Sequence, residues 1–239
     1  IIKTPRSLTV GDVTYPSAVF RDAELLESLG VTPYSETTVD NRYYWTGNVT
    51  IADGVGTYEA IPRDVETLKE SMFSILGDFV LDSVVLDLFA GIGSLGIECL
   101  SRGANRCLFV DNSTNAIKVI KKNLQDANLL KRTVVLKINV FRLLDFIKNK
   151  NITFDLILVA PPYKLLDIGC GDRKRIFSLL EAFVSKQIIN EKGILVLQHH
   201  KKQKIVQECF KQLNVIDVRQ YSNTQLTFLK VNGTPNSEI

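Results

Sequence analysis

Three features of the 239-residue chain predict an α/β fold built on a seven-stranded, mostly parallel sheet. From Val84 onward, short apolar runs alternate with amphipathic stretches, the pattern of parallel strands joined by helices. A glycine-rich turn stands between the first such strand and the helix that follows it. The chain then closes on two strands separated by "SNT", a turn tight enough to make an antiparallel hairpin.

The strands are read from runs of six to eight residues: "VVLDLFA", "CLFVDN", "TVVLKINV", "FDLILVA" and "GILVLQHH", then "VIDVRQYS" and "TQLTFLKV" for the hairpin. Between them, "GSLGIECLSRG", "STNAIKVIKKNLQDANL", "VFRLLDFIKNK" and "RKRIFSLLEAFVSKQI" space their apolar residues three and four apart, as helices do. Ser113 is placed as an N-cap and Gly103 as a C-cap. Upstream, "VETLKESMFSILGDF" is a helix leading into the first core strand.

Residues 1–60 differ in kind. They are rich in Thr, Tyr, Val and Gly, with "VTYP", "GVTPYS" and "DNRYYWTGN" as strand or turn material and "DAELLESLG" as one short helix. This segment is expected to be a small β-rich accessory module, with residues 61–231 the main domain and 232–239 a tail. Tyr43, Tyr44 and Trp45 could stack on bases, but a small module needs such aromatics for its own core, which is the favoured reading.

Composition narrows the class. Hydrophobic residues at 45% and charged residues at 23% are ordinary for a globular chain and argue against disorder or a fibrous protein. No apolar run approaches the ~18 residues of a membrane span, so a cytoplasmic location is the expectation. The chain opens on Ile1 rather than Met, consistent with further residues upstream. Cys99, Cys107, Cys170 and Cys209 are widely spaced and form no Cys-x-x-Cys pair, which speaks for buried free thiols and against zinc or a disulfide framework. Residues 1–60 hold 4 basic and 8 acidic residues, leaving 25 basic and 18 acidic for the remainder. The basic surplus of the larger part suits a polyanionic partner, although an ordinary basic enzyme would show the same.

The glycine-rich turn, "VVLDLFAGIGSLGIE", carries the first chemistry. Gly91 and Gly93 allow backbone angles closed to other residues and let a ligand approach the main chain, and Gly96 allows close helix packing. A dinucleotide site would put its pyrophosphate on the helix N-terminus. S-adenosylmethionine has no phosphate but is cationic, so Asp87 at the strand end suits its charge and Asp111, ending the second strand, suits its ribose hydroxyls. A plain strand-turn-helix junction with Asp87 as a cap is the bland reading.

Together, "VLDLFAGIGSLGIECLSRGA", "FVDN", "KINV" and "APPY", in this order, resemble the Rossmann-like class I S-adenosylmethionine-dependent methyltransferases. More narrowly they are similar to the RsmD type, which methylates the exocyclic N2 of a guanine in small-subunit (16S) ribosomal RNA. The resemblance covers about residues 62–231. It implies that Asp87, Ala90, Gly91 and Gly93, with Phe89 among the cofactor residues, line the methionine moiety. By the same resemblance Asp111 holds the ribose, Asn112 lies beside the adenine, and Asn139 and Val140 frame its ring. Glu98 matches an acidic helix residue with a structural or loop-supporting role. The catalytic corner is Ala160, Pro161, Pro162 and Tyr163, which shapes the base pocket.

Three departures accompany the resemblance. The N-terminal segment is longer and acidic where the family's is short and basic. The family's Arg-Pro-Thr is reduced to Pro62-Arg63-Asp64. The residue before Pro-Pro-Tyr is Ala160 rather than Asp or Asn. An exocyclic amine is a poor nucleophile, and in enzymes of this type that Asp or Asn accepts an N–H bond and aims the nitrogen lone pair at the methyl group. Alanine deletes the acceptor while leaving the corner intact, so cofactor binding is expected to survive better than transfer, with a loss of ~10²–10³ in rate.

Phosphate contacts are assigned to Arg63, Lys164, Arg173, Lys174, Arg175 and Lys201, in part because ligands of open α/β sheets sit beyond the carboxyl ends of the strands. Solvated charge at helix starts explains the same runs equally well. His199 and His200 lack a third ligand, so no metal is expected. The partner is then ribosomal RNA or the small ribosomal subunit, with no membrane and no metal. Two other readings remain open: an amino-methyltransferase for adenine N6 in DNA or RNA, and a catalytically silent module that retains RNA or cofactor affinity.

Overall fold

A computed structural model describes the backbone of residues 7–10, 13–16, 32–39, 42–51, 54–60, 63–148, 150 and 152–233, and side chains from Leu68 onward. The chain divides into two compact units, Ile1–Glu70 and Ser71–Ile239. In the first, β1 (Ser7–Val10) pairs antiparallel with β2 (Val13–Pro16). Strands β3 (Thr32–Val39), β4 (Arg42–Ile51) and β5 (Gly54–Ala60) form a second antiparallel sheet. Tyr43, Tyr44 and Trp45 lie on β4, and the helix expected over "DAELLESLG" lies outside the described residues. Helix α1 (Arg63–Leu76) leads into the second unit.

The second unit is a seven-stranded sheet of β6 (Val84–Leu88), β7 (Arg106–Asp111), β8 (Thr133–Lys137), β9 (Phe154–Val159), β10 (Ile189–His200), β11 (Leu213–Tyr221) and β12 (Thr224–Val231). Its order is β11-β12-β10-β9-β6-β7-β8. Strands β10, β9, β6, β7 and β8 run parallel, whereas β12 is antiparallel to both β10 and β11. The hairpin turns through Ser222, in a left-handed conformation, and Asn223, since Tyr221 pairs with Thr224. All seven expected strands are present, the last one reversed. The sequence had no means of showing that this last strand inserts between β10 and β11.

Helices cover both faces, because the strands in the middle of a parallel sheet must bury both rows of side chains. Leu86, Leu88, Leu108, Val110, Ile157, Val159, Leu195 and Leu197 share one core with α4 (Leu143–Ile147) and α5 (Gly171–Ser185). On the opposite face, α2 (Ser94–Ser101) packs so closely on β7 that a Cβ at Gly96 would lie 2.4 Å from the Phe109 ring and 2.7 Å from Cys107 Sγ. Helix α3 (Thr114–Asp126) shares that face, with Ile120 near Gly93 and Phe109.

The caps follow the sequence: Ser113 Oγ accepts from the Ala116 N–H at 3.3 Å, and Gly103, at φ +96°, follows the end of α2. Two elements are shorter than their apolar pattern predicts. Strand β8 stops at Lys137 because the Asn139 side chain accepts from the Phe141 N–H at 3.0 Å and starts a 3₁₀ turn, Val140–Arg142. The single helix expected over 140–150 is thereby split into that turn and the five residues of α4. Among the described residues no helix is long and apolar enough to cross a membrane.

Candidate active site

The sheet order reverses between β6 and β9, so the crevice of this fold opens beyond the carboxyl ends of those two strands. Leu88 pairs with Val159, the last residue of each strand, and the Ala160 N–H donates to the Leu88 carbonyl at 3.3 Å. The glycine-rich turn and the Ala160–Tyr163 corner therefore leave the sheet side by side.

In the turn, left-handed residues alternate: Phe89 at φ +57°, Gly91 at +57° and Gly93 at +80°. Glycine takes such angles freely, but for Phe89 the conformation is a strain of about 1–3 kcal/mol. The surroundings hold it there. The Ala90 N–H donates to the Val110 carbonyl at 3.1 Å, the Gly93 N–H to the Ala90 carbonyl at 2.7 Å, and the Asn123 side-chain amide to the Ile92 carbonyl at 3.0 Å. Asp111, at the end of β7, joins the turn to α3. Its Oδ2 accepts from the Gly91 N–H at 2.8 Å and its Oδ1 from the Ser113 N–H at 2.8 Å.

The two acidic residues singled out from the sequence thus occupy different places. Asp111 is half-buried at the rim, between turn and helix. Asp87 is buried beneath the turn, where its Oδ2 accepts from the Gly96 N–H at 3.0 Å. It faces the α2 side of the sheet, and its charge, after burial, helps push the thiols of Cys99 and Cys107 well above their ordinary range. Glu98 forms an ion pair with Arg102 one helical turn on, at 2.9 Å.

On the β9 side, Ala160 and Pro161 are buried, Pro162 is exposed and Tyr163 half-buried. Tyr163 is gripped from several directions. Its hydroxyl meets Thr224 Oγ1 at 2.6 Å, and its ring meets the His200 ring edge-on at a centroid distance of 5.6 Å. Its carbonyl accepts from Gln203 Nε2, which also donates to Asp167 Oδ1 at 2.8 Å. Gln203 Oε1 in turn accepts from the His200 N–H at 2.9 Å. Next to this cluster His199 is buried between strands, Nδ1 bonded to the His200 carbonyl at 3.1 Å and Nε2 to Thr227 Oγ1 at 2.8 Å. A carbonyl only accepts, so Nδ1 carries a proton. Burial lowers its pKa to about 4.

The residues assigned to phosphate divide. Lys164, Lys174 and Lys201 are exposed around the β9 and β10 ends. Arg173 is built into the fold: it donates to the carbonyls of Leu166, Gln203 and Lys204 at 2.5, 2.8 and 3.1 Å, and lies over the Phe177 ring at 5.0 Å. Arg175 pairs with Asp172 at 2.7 Å and covers the Phe141 ring at 3.8 Å. Arg63 opens α1, and its side chain lies outside the described residues. Of the adenine-side residues, Asn112 and Asn139 are exposed and Val140 is buried. Among the described residues no group of three or more His, Cys, Asp or Glu is placed to hold a metal ion. Gln203, Asp167 and Thr224 escaped the sequence reading, because nothing in their local spacing indicates that they meet Tyr163.

A parallel sheet with one reversed strand inserted beside its edge strand, and a glycine-rich turn after the first strand, is the fold of class I S-adenosylmethionine-dependent methyltransferases. Within that class the chain belongs to the family described as conserved hypothetical protein 95, whose model matches residues 62–230, and this is the RsmD type that the motifs resemble. YlbH of Bacillus subtilis (strain 168), named provisionally as an rRNA methyltransferase, is 34% identical over 137 residues, 57% of this chain and 70% of the relative. Ribosomal RNA small subunit methyltransferase D of Buchnera aphidicola is 30% identical over 139 residues, 58% of this chain and 67% of the relative. Among solved structures, a conserved hypothetical protein of Streptococcus pyogenes superposes with a TM-score of 0.60 at 26% identity, over 69% of this chain and 96% of that one.

Proposed function

We propose that this chain transfers the methyl group of S-adenosylmethionine to the exocyclic N2 of a guanine in small-subunit (16S) rRNA, with Ala160 limiting the rate. The observation that carries this reading is the Leu88–Val159 pairing, which sets the glycine-rich turn against the Ala-Pro-Pro-Tyr corner. Family membership supports it, since relatives are named as methyltransferases of small-subunit rRNA.

The residues fit the cofactor. Each Asp111 oxygen accepts one backbone N–H and keeps a further lone pair, the capacity that two ribose hydroxyls need. Ala90, Gly91 and Gly93, with Phe89, give the methionine moiety a wall in which main chain is exposed at the small residues of the turn. Asp87 acts from beneath, by fixing the start of α2. Asn112, Asn139 and Val140 flank the adenine at the ends of β7 and β8. S-adenosylmethionine, when bound, supplies an electrophilic methyl group on a positively charged sulfur. The chain supplies position: Pro161, Pro162 and Tyr163 wall the base, while the amine acceptor that Asp or Asn would provide is absent at Ala160. Arg63, Lys164, Lys174 and Lys201 meet RNA phosphates, which positions the substrate without reading sequence. Arg173 and Arg175 serve chiefly to shape that surface.

Calorimetry with S-adenosylmethionine on this chain and on Ala160→Asp, alongside methyl transfer to unmodified small-subunit rRNA, tests the reading. Binding by both with faster transfer by Ala160→Asp is the expected result. Binding without transfer by either would instead favour a silent cofactor- or RNA-binding module. No binding by either would overturn the methyltransferase reading of this chain.

A further inference from the structure

Outside the reacting corner, Gln203, 3% exposed in the turn after β10, is a buried polar side chain whose amide is bonded through both its nitrogen and its oxygen. Its amide spans two separate segments: Nε2 donates to the Tyr163 carbonyl and to Asp167 Oδ1, and Oε1 accepts from the His200 N–H. Arg173, from α5, ties the same two segments again through the carbonyls of Leu166 on one side and Gln203 and Lys204 on the other. Residue 204 takes a left-handed conformation, φ +43°, which turns its carbonyl toward that guanidinium. Two side chains thus join Tyr163–Asp167 to His200–Lys204, in addition to the apolar anchors that Leu166 and Ile205 place in the core. A loop of this length could cover the strand ends with water satisfying its carbonyls.

We propose that Gln203, assisted by Arg173, is a positioning residue for methyl transfer: it latches the loop after Pro162 to the end of β10 and so sets where Tyr163 stands against the target base. The inference rests on the reading of Ala160–Tyr163 as the base pocket. The latch holds Tyr163 by its main chain, and the Thr224 hydroxyl and the His200 ring hold its side chain. Ring height and ring tilt are therefore set separately. The same latch fixes exposed Lys164 beside exposed Lys201, Lys202 and Lys204, so a phosphate gripped by that rim is held at a constant offset from the pocket. Removing the amide frees the loop without touching the glycine-rich turn or Asp111, so cofactor affinity is preserved and productive alignment is lost.

The test uses full-length protein in the Ala160→Asp background, with and without Gln203→Leu. The expected result is a fall in kcat of roughly 10–100-fold, the cost of misplacing a reacting partner by about an ångström, with the Kd for S-adenosylmethionine unchanged. Tryptic cleavage after Lys164 should accelerate by roughly tenfold as the loop opens locally, while cleavage after exposed Lys211, before β11, should not. Unchanged kcat and unchanged cleavage after Lys164, with only the melting temperature lowered, would overturn the proposal. Should Gln203→Leu fail to fold, Arg173→Lys decides by the same two readouts, and Thr224→Val should lower kcat without speeding cleavage. If Ala160→Asp itself methylates no rRNA, the functional reading fails, and the cleavage after Lys164 alone decides whether the latch exists.

Discussion

On the β6–β7 side of the crevice, every bond that holds the turn uses one of its main-chain groups: Ala90 to Val110, Gly93 to Ala90, Gly91 to the carboxylate of Asp111, which also takes the Ser113 N–H, and the Ile92 carbonyl to the Asn123 amide. On the β9–β10 side, side chains bond side chains and loops, through Tyr163, Thr224, His200, Gln203, Asp167 and Arg173. Under the proposed function the difference matches what each side would bind. A cofactor of constant shape would be met by a rigid backbone cradle, which needs glycine and an acidic residue at set positions. A base presented on a large RNA would be met by a wall and a rim, which many combinations of polar residues can build. The first arrangement leaves a motif in the sequence, whereas of the second only the Ala-Pro-Pro-Tyr corner does.

That contrast can be tested at its sharpest point, residue 160. Introducing a carboxylate by Ala160→Asp should raise the methyl-transfer rate by about 10²–10³, measured in single turnover, without changing cofactor affinity. An equal gain in affinity and rate would show that the corner belongs to the cofactor side.

The next effect concerns His199, whose pKa is lowered to about 4 by burial while the unfolded chain titrates near 6.5. The unfolded state binds its proton first as pH falls, so stability is full above about 6.5 and is lost as pH drops toward 4, by about 3 kcal/mol in all. Urea melts across this range should show the slope, and His199→Gln should flatten it. An unchanged slope would move the pH sensitivity away from the β10–β12 pairing.

Asp111→Ala removes a charged acceptor of two N–H groups and of the proposed ribose, a loss of about 1.5–3 kcal/mol. Cofactor Kd should rise by roughly 10–100-fold in calorimetry, and an unchanged Kd would reassign the ribose site. Smaller still, Gly96→Ala forces a Cβ against the Phe109 ring and Cys107, for which overpacking costs about 1–3 kcal/mol. Thermal unfolding should show that loss with the β9–β10 cluster undisturbed, so cleavage after Lys164 stays as it is.

Legibility follows the same division. The seven strands, the Ser113 cap and the turn at Gly91 and Gly93 could all be read, because periodicity and glycine are local signals. Strand β8 and the helix after it depart from their apolar pattern at the junction, where a single side-chain bond from Asn139 outweighs that pattern. Arg173 looked like a phosphate ligand from its charged neighbours, yet three carbonyls from two distant segments surround its guanidinium.

The sequence by itself determined the sheet of parallel strands, the strand-turn-helix cradle and the alanine that precedes Pro-Pro-Tyr at residue 160, since each depends on residues within one short stretch. Only the tertiary structure decided that β12 lies between β10 and β11, that Asp87 faces the helix rather than the rim, and that Gln203 reaches Tyr163 forty residues away. Those outcomes depend on which strands pair and which face each side chain takes once the chain has closed on itself, and no local pattern records either.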